Sequence, residues 1–199
     1  IRDEERGEYE AGSLVLTPGP WAPQLLADLA LPLTVERHVL YWFDPPAGVA
    51  EFSADRFPIY IWERADGVHF YGFPHQPGPP GGVKIALFHV GSPCTPKDID
   101  REVKESEVAA MRRCIREHLP GLDGPLLHAT TCMYTRTPDG HFILAAHPRH
   151  RNVIIGSPCS GHGFKFVPVI GEILADLVTR GTTAHPIALF GISRFTAAR

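Results

Sequence analysis

Three groups of residues in this chain have the types and spacing to do chemistry. The first is Ser160-Gly161-His162-Gly163-Phe164-Lys165-Phe166, placed directly before an amphipathic segment. Glycines let a backbone turn tightly and approach a ligand closely. A helix N-terminus offers unpaired N–H groups and a partial positive charge, and Lys165 adds a full charge at the same place. Such a mouth suits something flat or negative, a planar cofactor edge or a substrate carboxylate. Ordinary loop chemistry spells the same letters, so the motif needs its structural context.

The second is Lys84, in Val83-Lys84-Ile85-Ala86-Leu87-Phe88-His89. Strand alternation puts Lys84, Ala86 and Phe88 on one face. Partial desolvation there would lower the lysine's pKa and fit it for a functional role; the plain alternative is a solvated lysine on an exposed sheet face. The third is Cys132, in Thr130-Thr131-Cys132-Met133-Tyr134-Thr135 near a strand end, with Tyr134 on the same face. A buried cysteine also serves simply as a small hydrophobe. His162 suits either a ligand or a nearby carbonyl.

The elements that must position these groups follow from periodicity. Tyr9–Leu16 reads as a strand and Trp21–Leu29 as a short helix with Leu25, Leu26 and Leu29 on one side. Val35–Phe43, Phe57–Glu63, Val68–Phe73 and Val83–His89 read as strands, with a hairpin at Asp66-Gly67. A helix opening at Ser106 carries Val108, Met111, Ile115 and Leu119 and stops at Pro120-Gly121. Leu126–Thr135, His141–Ala146 and Asn152–Ile155 are further strands. The last helix follows the Ser160 loop, with Pro168 in its first turn, an apolar face of Phe166, Ile170, Ile173, Leu174 and Leu177, and Arg180-Gly181 at its end. Many strands and few helices predict an α+β fold, a largely antiparallel sheet inserted into an α/β layer.

Composition excludes several classes. With 199 residues, 44% hydrophobic and 21% charged, the chain can bury a core. A formal net charge of −3 gives no electrostatic case for nucleic acid. No apolar run approaches a membrane span, and the charged first residues do not read as a signal peptide. The four cysteines show no CxxC pairing, so no metal site is expected, and reduced thiols in a cytoplasmic protein are the default. The start at Ile1 rather than Met suggests a fragment or a processed piece.

The separate signals occur in a familiar order. Cys132-Met133-Tyr134-Thr135, Thr137-Pro138-Asp139-Gly140-His141-Phe142 and the Ser160–Phe166 motif resemble the family of monomeric sarcosine oxidase and N-methyltryptophan oxidase. Gly19-Pro20-Trp21, Tyr71-Gly72-Phe73-Pro74 and Gly82-Val83-Lys84-Ile85 extend the resemblance upstream. It implies an FAD-dependent oxidation of the C–N bond of a small secondary amino acid, with oxygen reduced to hydrogen peroxide. It further implies covalent FAD attachment through Cys132, and Lys84 as the catalytic lysine that promotes reaction with oxygen. Lys165 would hold the substrate carboxylate, with Tyr71 and Tyr134 lining the substrate cavity. Gly161, His162, Gly163, Phe164 and Lys165 would contact the cofactor, and His162 shares the catalytic motif. Negative charge developing at the cofactor would be stabilised by a helix N-terminus and a nearby lysine.

Two departures stand out. The family's sarcosine-type members carry a histidine four residues after the strand lysine, where this chain has Phe88, and alternation points His89 away from Lys84. The family's Gly-x-Gly-x-x-Gly dinucleotide motif is absent, together with the arginines that share the carboxylate. The expected organisation is therefore an FAD-domain segment at 1–37, a substrate domain at 38–138 and a second FAD-domain segment at 139–199. A missing N-terminal FAD-binding half would be needed for activity; a non-catalytic truncated module or one subunit of a split oxidase is the alternative.

Overall fold

The computed structural model describes residues 2–3, 7–88 and 90–195. The strands are β1 (Arg2–Asp3), β2 (Gly7–Glu8), β3 (Leu14–Leu16), β4 (Thr34–Phe43), β5 (Tyr60–Glu63) and β6 (His69–Gly72). They continue with β7 (Val83–Phe88), β8 (Ser92–Pro93), β9 (Leu126–Arg136), β10 (Ile143–Ala146) and β11 (Val153–Ser157). The α-helices are α1 (Ala22–Leu25), α2 (Glu105–His118) and α3 (Val167–Arg180), with short 3₁₀ turns between elements. The architecture is mixed α+β. The chain divides into two compact units, Glu36–Met133 and the pair Ile1–Val35 with Tyr134–Arg199, so the divisions fall inside β4 and β9.

The unit 36–133 is built on an antiparallel sheet in the order β5-β6-β7-β4-β8, with β9 also paired to β4. Alternation along each strand separates its two faces. Tyr41, Phe43, Phe70, Val83 and Ile85 point to one face and pack with Met111, Cys114 and Ile115 of α2. Each such fully buried side chain stabilises the unit by roughly 1.5–3 kcal/mol. Helix α2 begins where the Glu107 carboxylate accepts the Lys104 backbone N–H at 2.9 Å. It is fastened to β4 by Arg37, whose guanidinium donates to Glu107 at 2.6 Å and to the backbone carbonyls of Asp100 and Glu102. The opposite face carries Trp42, Lys84 and Tyr71.

The hairpin joining β5 to β6 forms at Asp66-Gly67 through a turn longer than two residues. Gly67 takes φ +79°, its N–H donates to Arg64 O, and the Asp66 carboxylate accepts from Val68 N.

In the unit 1–35 with 134–199, β11 pairs antiparallel with β10 and parallel with β3. Leu144 and Ile154 meet Ile170, Ile173 and Leu174 of α3 on one side. Ile143 and Ile155 meet Ala22, Leu26 and Ile192 on the other. Gly156 is required for the first layer, because a Cβ there would lie 2.9 Å from Leu174. Helix α3 starts with Pro168 in its first turn and ends at Gly181, φ +71°.

Two expectations need correction. The strand expected over Tyr9–Leu16 is confined to Leu14–Leu16, the segment in register with β11; alternating apolar residues do not extend a strand beyond its partner. The helix expected over Trp21–Leu29 is one α-turn flanked by two 3₁₀ turns, and Leu25 is exposed while Leu26 is buried. Pro20 and Pro23 sit in the first turns, where they are tolerated; the regular helix ends where Leu26 leaves helical geometry at φ −114° and ψ 26°.

Candidate functional site

Lys84 stands on β7 directly opposite Trp42 of β4 in the antiparallel register. It is half-buried. Its ammonium lies 5.5 Å from the centre of the Trp42 ring and 5.1 Å from that of Phe73. Burial pushes its pKa below the usual lysine value, and the Cys132 thiol pulls it partly back. The solvated-lysine alternative is thereby set aside. A cavity of about 220 Å³ opens beside it, walled by Trp42, Phe73, Gln76 and the loop 77–82. That loop has a narrow neck: His75 Nδ1–H donates to Gly82 O at 2.9 Å. Gly82 sits at φ +70°, with Phe43 O only 2.5 Å from where a Cβ would be, so no other residue fits there.

Cys132 on β9 is half-buried, and burial raises its thiol pKa while Lys84 draws it down. All four cysteines are free. Cys114, on α2, lies in the core, and Cys159 is buried with its thiol directed at His141 O. Cys94 is partly buried beside Asp98 and Glu36, which add to the rise that burial imposes on its thiol. Only Cys132 combines partial exposure with a lysine acting on its thiol. Tyr71 lies on β6 with Phe73 and Phe88 edge-on to its ring, at 6.0 and 5.9 Å. Tyr71, Lys84 and Cys132 thus belong to one unit, and Lys84 and Cys132 act on each other electrostatically.

The other unit holds Tyr134 and the 160–166 loop. Ser160 is fully buried at φ +64°, and its N–H donates to Thr135 O at 2.6 Å. Gly161 follows at φ +80°. Gly163 is needed for a different reason: a Cβ there would fall 1.9 Å from Pro158 O. His162 Nε2–H donates to Gly140 O at 2.9 Å, and its ring lies against Phe142. The 137–142 turn is itself locked. Thr137 Oγ1 donates to His141 O at 2.7 Å, and the Asp139 carboxylate accepts from His141 N and from Arg194 Nε.

Lys165 lies in a 3₁₀ turn immediately before α3. It is exposed, and its Nζ donates to His162 O at 3.1 Å. Phe164 beside it is 92% exposed. His89 lies outside the described residues. Among the described residues, no group of three or more His, Cys, Asp or Glu side chains could hold a metal ion. No helix among them is long and apolar enough to cross a membrane.

Sequence reasoning missed Trp42, Gln76 and Arg194. Trp42 becomes part of the site only through cross-strand register, which a single strand does not display. Gln76 lies at the edge of a Pro-Gly run that reads as a plain loop.

A family profile described as FAD dependent oxidoreductase matches residues 1–177. The chain belongs to this family. It is 55% identical over 191 residues to a monomeric sarcosine oxidase of Streptomyces avermitilis, covering 96% of this chain and 50% of that protein. It is 32% identical to an N-methyl-L-tryptophan oxidase of Salmonella dublin, covering 98% of this chain and 50% of that protein. Among solved structures it is similar to NikD, an unusual amino acid oxidase essential for nikkomycin biosynthesis, with a TM-score of 0.74 at 25% identity. That match covers 96% of this chain and 52% of NikD. The chain spans about half the length of the curated relatives it matches.

The donor set fits the cofactor of this family. A half-buried ammonium lies against aromatic rings with a soft thiol within its electrostatic reach, surroundings suited to a planar group that takes up negative charge.

Proposed function

We propose that this chain is part of an FAD-dependent amine oxidase acting on the C–N bond of a secondary amine or N-methyl amino acid of the sarcosine type. The observation that carries the reading is the half-buried Lys84 ammonium with the Cys132 thiol within its electrostatic reach. The named activities of the relatives support it. Bound FAD supplies the two-electron chemistry that takes the amine to an imine and oxygen to hydrogen peroxide. Cys132 is the covalent anchor; burial raises its thiol pKa and Lys84 draws it partly back toward the thiolate. Lys84 holds a proton and a positive charge at the face where oxygen reacts. Lys165 binds the substrate carboxylate, Tyr71 and Tyr134 line the substrate cavity, and Gly161, His162, Gly163 and Phe164 form the backbone cradle on the cofactor side. His162 serves there by fixing the loop to Gly140.

In this reading residues 38–138 form the substrate domain, inserted between FAD-domain segments at 1–37 and 139–199. The Gly-x-Gly-x-x-Gly motif is not in this sequence, and we infer that residues outside it hold the ADP part of FAD. This chain by itself then neither binds FAD nor turns over, a statement that an absorbance scan near flavin wavelengths and an intact mass would check. The compartment proposed is the cytoplasm.

A peroxide-coupled assay of the intact protein with N-methylglycine, other N-methyl amino acids, proline and pipecolate tests the function. Peroxide formed with an N-methyl amino acid is the expected result. Dye reduction without peroxide would indicate a dehydrogenase instead, and the absence of both turnover and a flavin spectrum would sink the proposal. Cys132→Ser is expected to abolish acid-stable yellow colour, whereas Cys159→Ser leaves it.

A further inference from the structure

Lys84 poses a problem that the proposed oxygen chemistry does not itself solve. An ammonium half-withdrawn from water loses hydration and normally needs a carboxylate in compensation. Among the described residues no carboxylate pairs with it. What surrounds it instead is aromatic. Trp42 is its cross-strand partner. Phe73 is brought alongside by its own backbone N–H, which donates to Lys84 O at 3.1 Å. Both ring centres lie within 5.5 Å of Nζ, inside the distance at which a ring face attracts a cation.

The frame around these rings is tight. His75 ties the loop at Gly82 O, and its own N–H donates to Phe52 O at 2.7 Å. A Cβ on Gly72, between Tyr71 and Phe73, would lie 2.7 Å from Lys84 O. The His128 ring of β9 also lies beside Trp42, 5.4 Å away and tilted by 49°. The backbone that carries both rings is thus held by the sheet and by the loop tie.

We propose that Trp42 and Phe73 are positioning residues that clasp the Lys84 ammonium, hold it at the cavity wall and keep it charged. The clasp replaces the missing carboxylate with two π faces, which attract the cation but offer no oxygen to accept its proton. A carboxylate would neutralise the charge that the site needs free for a reacting partner. Other titratable groups on the surrounding elements are the Cys132 thiol and His128 imidazole on β9, the Tyr71 phenol on β6 and the His75 imidazole in the loop. Of these, Cys132 acts on Lys84 electrostatically. The kinetic part of this inference rests on the oxygen role proposed above for Lys84; the charge-holding part does not.

The test is a titration of Lys84 in the intact protein labelled with ¹³Cε-lysine, its resonance assigned by loss in Lys84→Arg. Trp42→Leu keeps an apolar wall but removes the π face. It is expected to move the Lys84 midpoint to lower pH, as is Phe73→Leu, whereas Trp42→Phe leaves the midpoint in place. Circular dichroism reports folding, and if Trp42→Leu does not fold, Phe73→Leu and Trp42→Phe carry the comparison. A midpoint that stays unchanged or rises in the folded leucine variants overturns the clasp. Stopped-flow reoxidation of the same variants separates the two claims. The alkaline limb of the pH profile is expected to shift with the midpoint, which a merely structural defect would not produce. A midpoint that moves while that limb stays fixed upholds the clasp and removes Lys84 from the oxygen step.

Discussion

Lys84 and Lys165 carry the same charged group on opposite kinds of support. Lys84 rises from an inner strand of a twisted sheet, half-buried between aromatic rings, with its strand hydrogen-bonded on both sides. Lys165 stands on a single 3₁₀ turn, exposed, with its Nζ donating to the carbonyl of His162 and lying 5.2 Å from the centre of the Phe166 ring. The sheet lysine has its pKa lowered by burial. The loop lysine has its backbone fixed instead, through Ser160, Gly163 and the His162–Gly140 bond. A site can thus be prepared in two ways: by tuning the group where the scaffold is rigid, or by immobilising the scaffold where the group stays in water.

Substitutions can break this contrast or sharpen it. The largest effect is expected from Gly163→Ala, because the new Cβ would fall on Pro158 O and the loop must open to admit it. A loss of about 3–4 kcal/mol in urea unfolding is expected, and a cost below about 1 kcal/mol would mean that the loop is pliant and the contrast false. Arg194→Met comes next. Arg194 holds the Asp139 carboxyl far below the usual carboxylate range, and it also donates to the carbonyls of Phe142 and Gly191. A loss of about 1–2 kcal/mol at neutral pH is expected, after discounting for the partial exposure of the pair. The sign with pH follows from the depressed value. The contribution of Asp139 is present above its unfolded pKa of about 4 and is lost as pH falls toward the folded value. Acid unfolding curves of Arg194→Met should therefore be flatter below pH 4 than those of the parent. The smallest effect belongs to Lys165→Ala, whose side chain is exposed. Its stability should change by less than about 0.5 kcal/mol, while the KM for carboxylate substrates rises first.

Much of this was legible in the residues. Alternation in Val83–Phe88 placed Lys84 on its face, and the apolar spacing of Ile170, Ile173 and Leu174 matches the side of α3 that is buried. The two glycines of the Ser160 loop marked a forced backbone, although the letters do not reveal that one serves a positive φ and the other a collision with Pro158. Tertiary partnership stayed hidden. Nothing near Trp42 in the sequence announces Lys84, forty-two residues away, and nothing near Asp139 announces Arg194. Leu25 shows the same limit, since its helical spacing from Leu29 holds only if the helix persists, and the chain leaves helical geometry at Leu26.

The division of labour between the two lysines is the central claim, and stopped-flow spectroscopy of the intact flavoprotein tests it most directly. Lys84→Met is expected to slow reoxidation by oxygen far more than reduction by the amine. Lys165→Ala is expected to weaken substrate binding by about ten- to a hundredfold, the value of a lost charged hydrogen bond of about 1.5–3 kcal/mol, with reoxidation unchanged. If both variants fail at the same step, the separate roles of the sheet lysine and the loop lysine are contradicted.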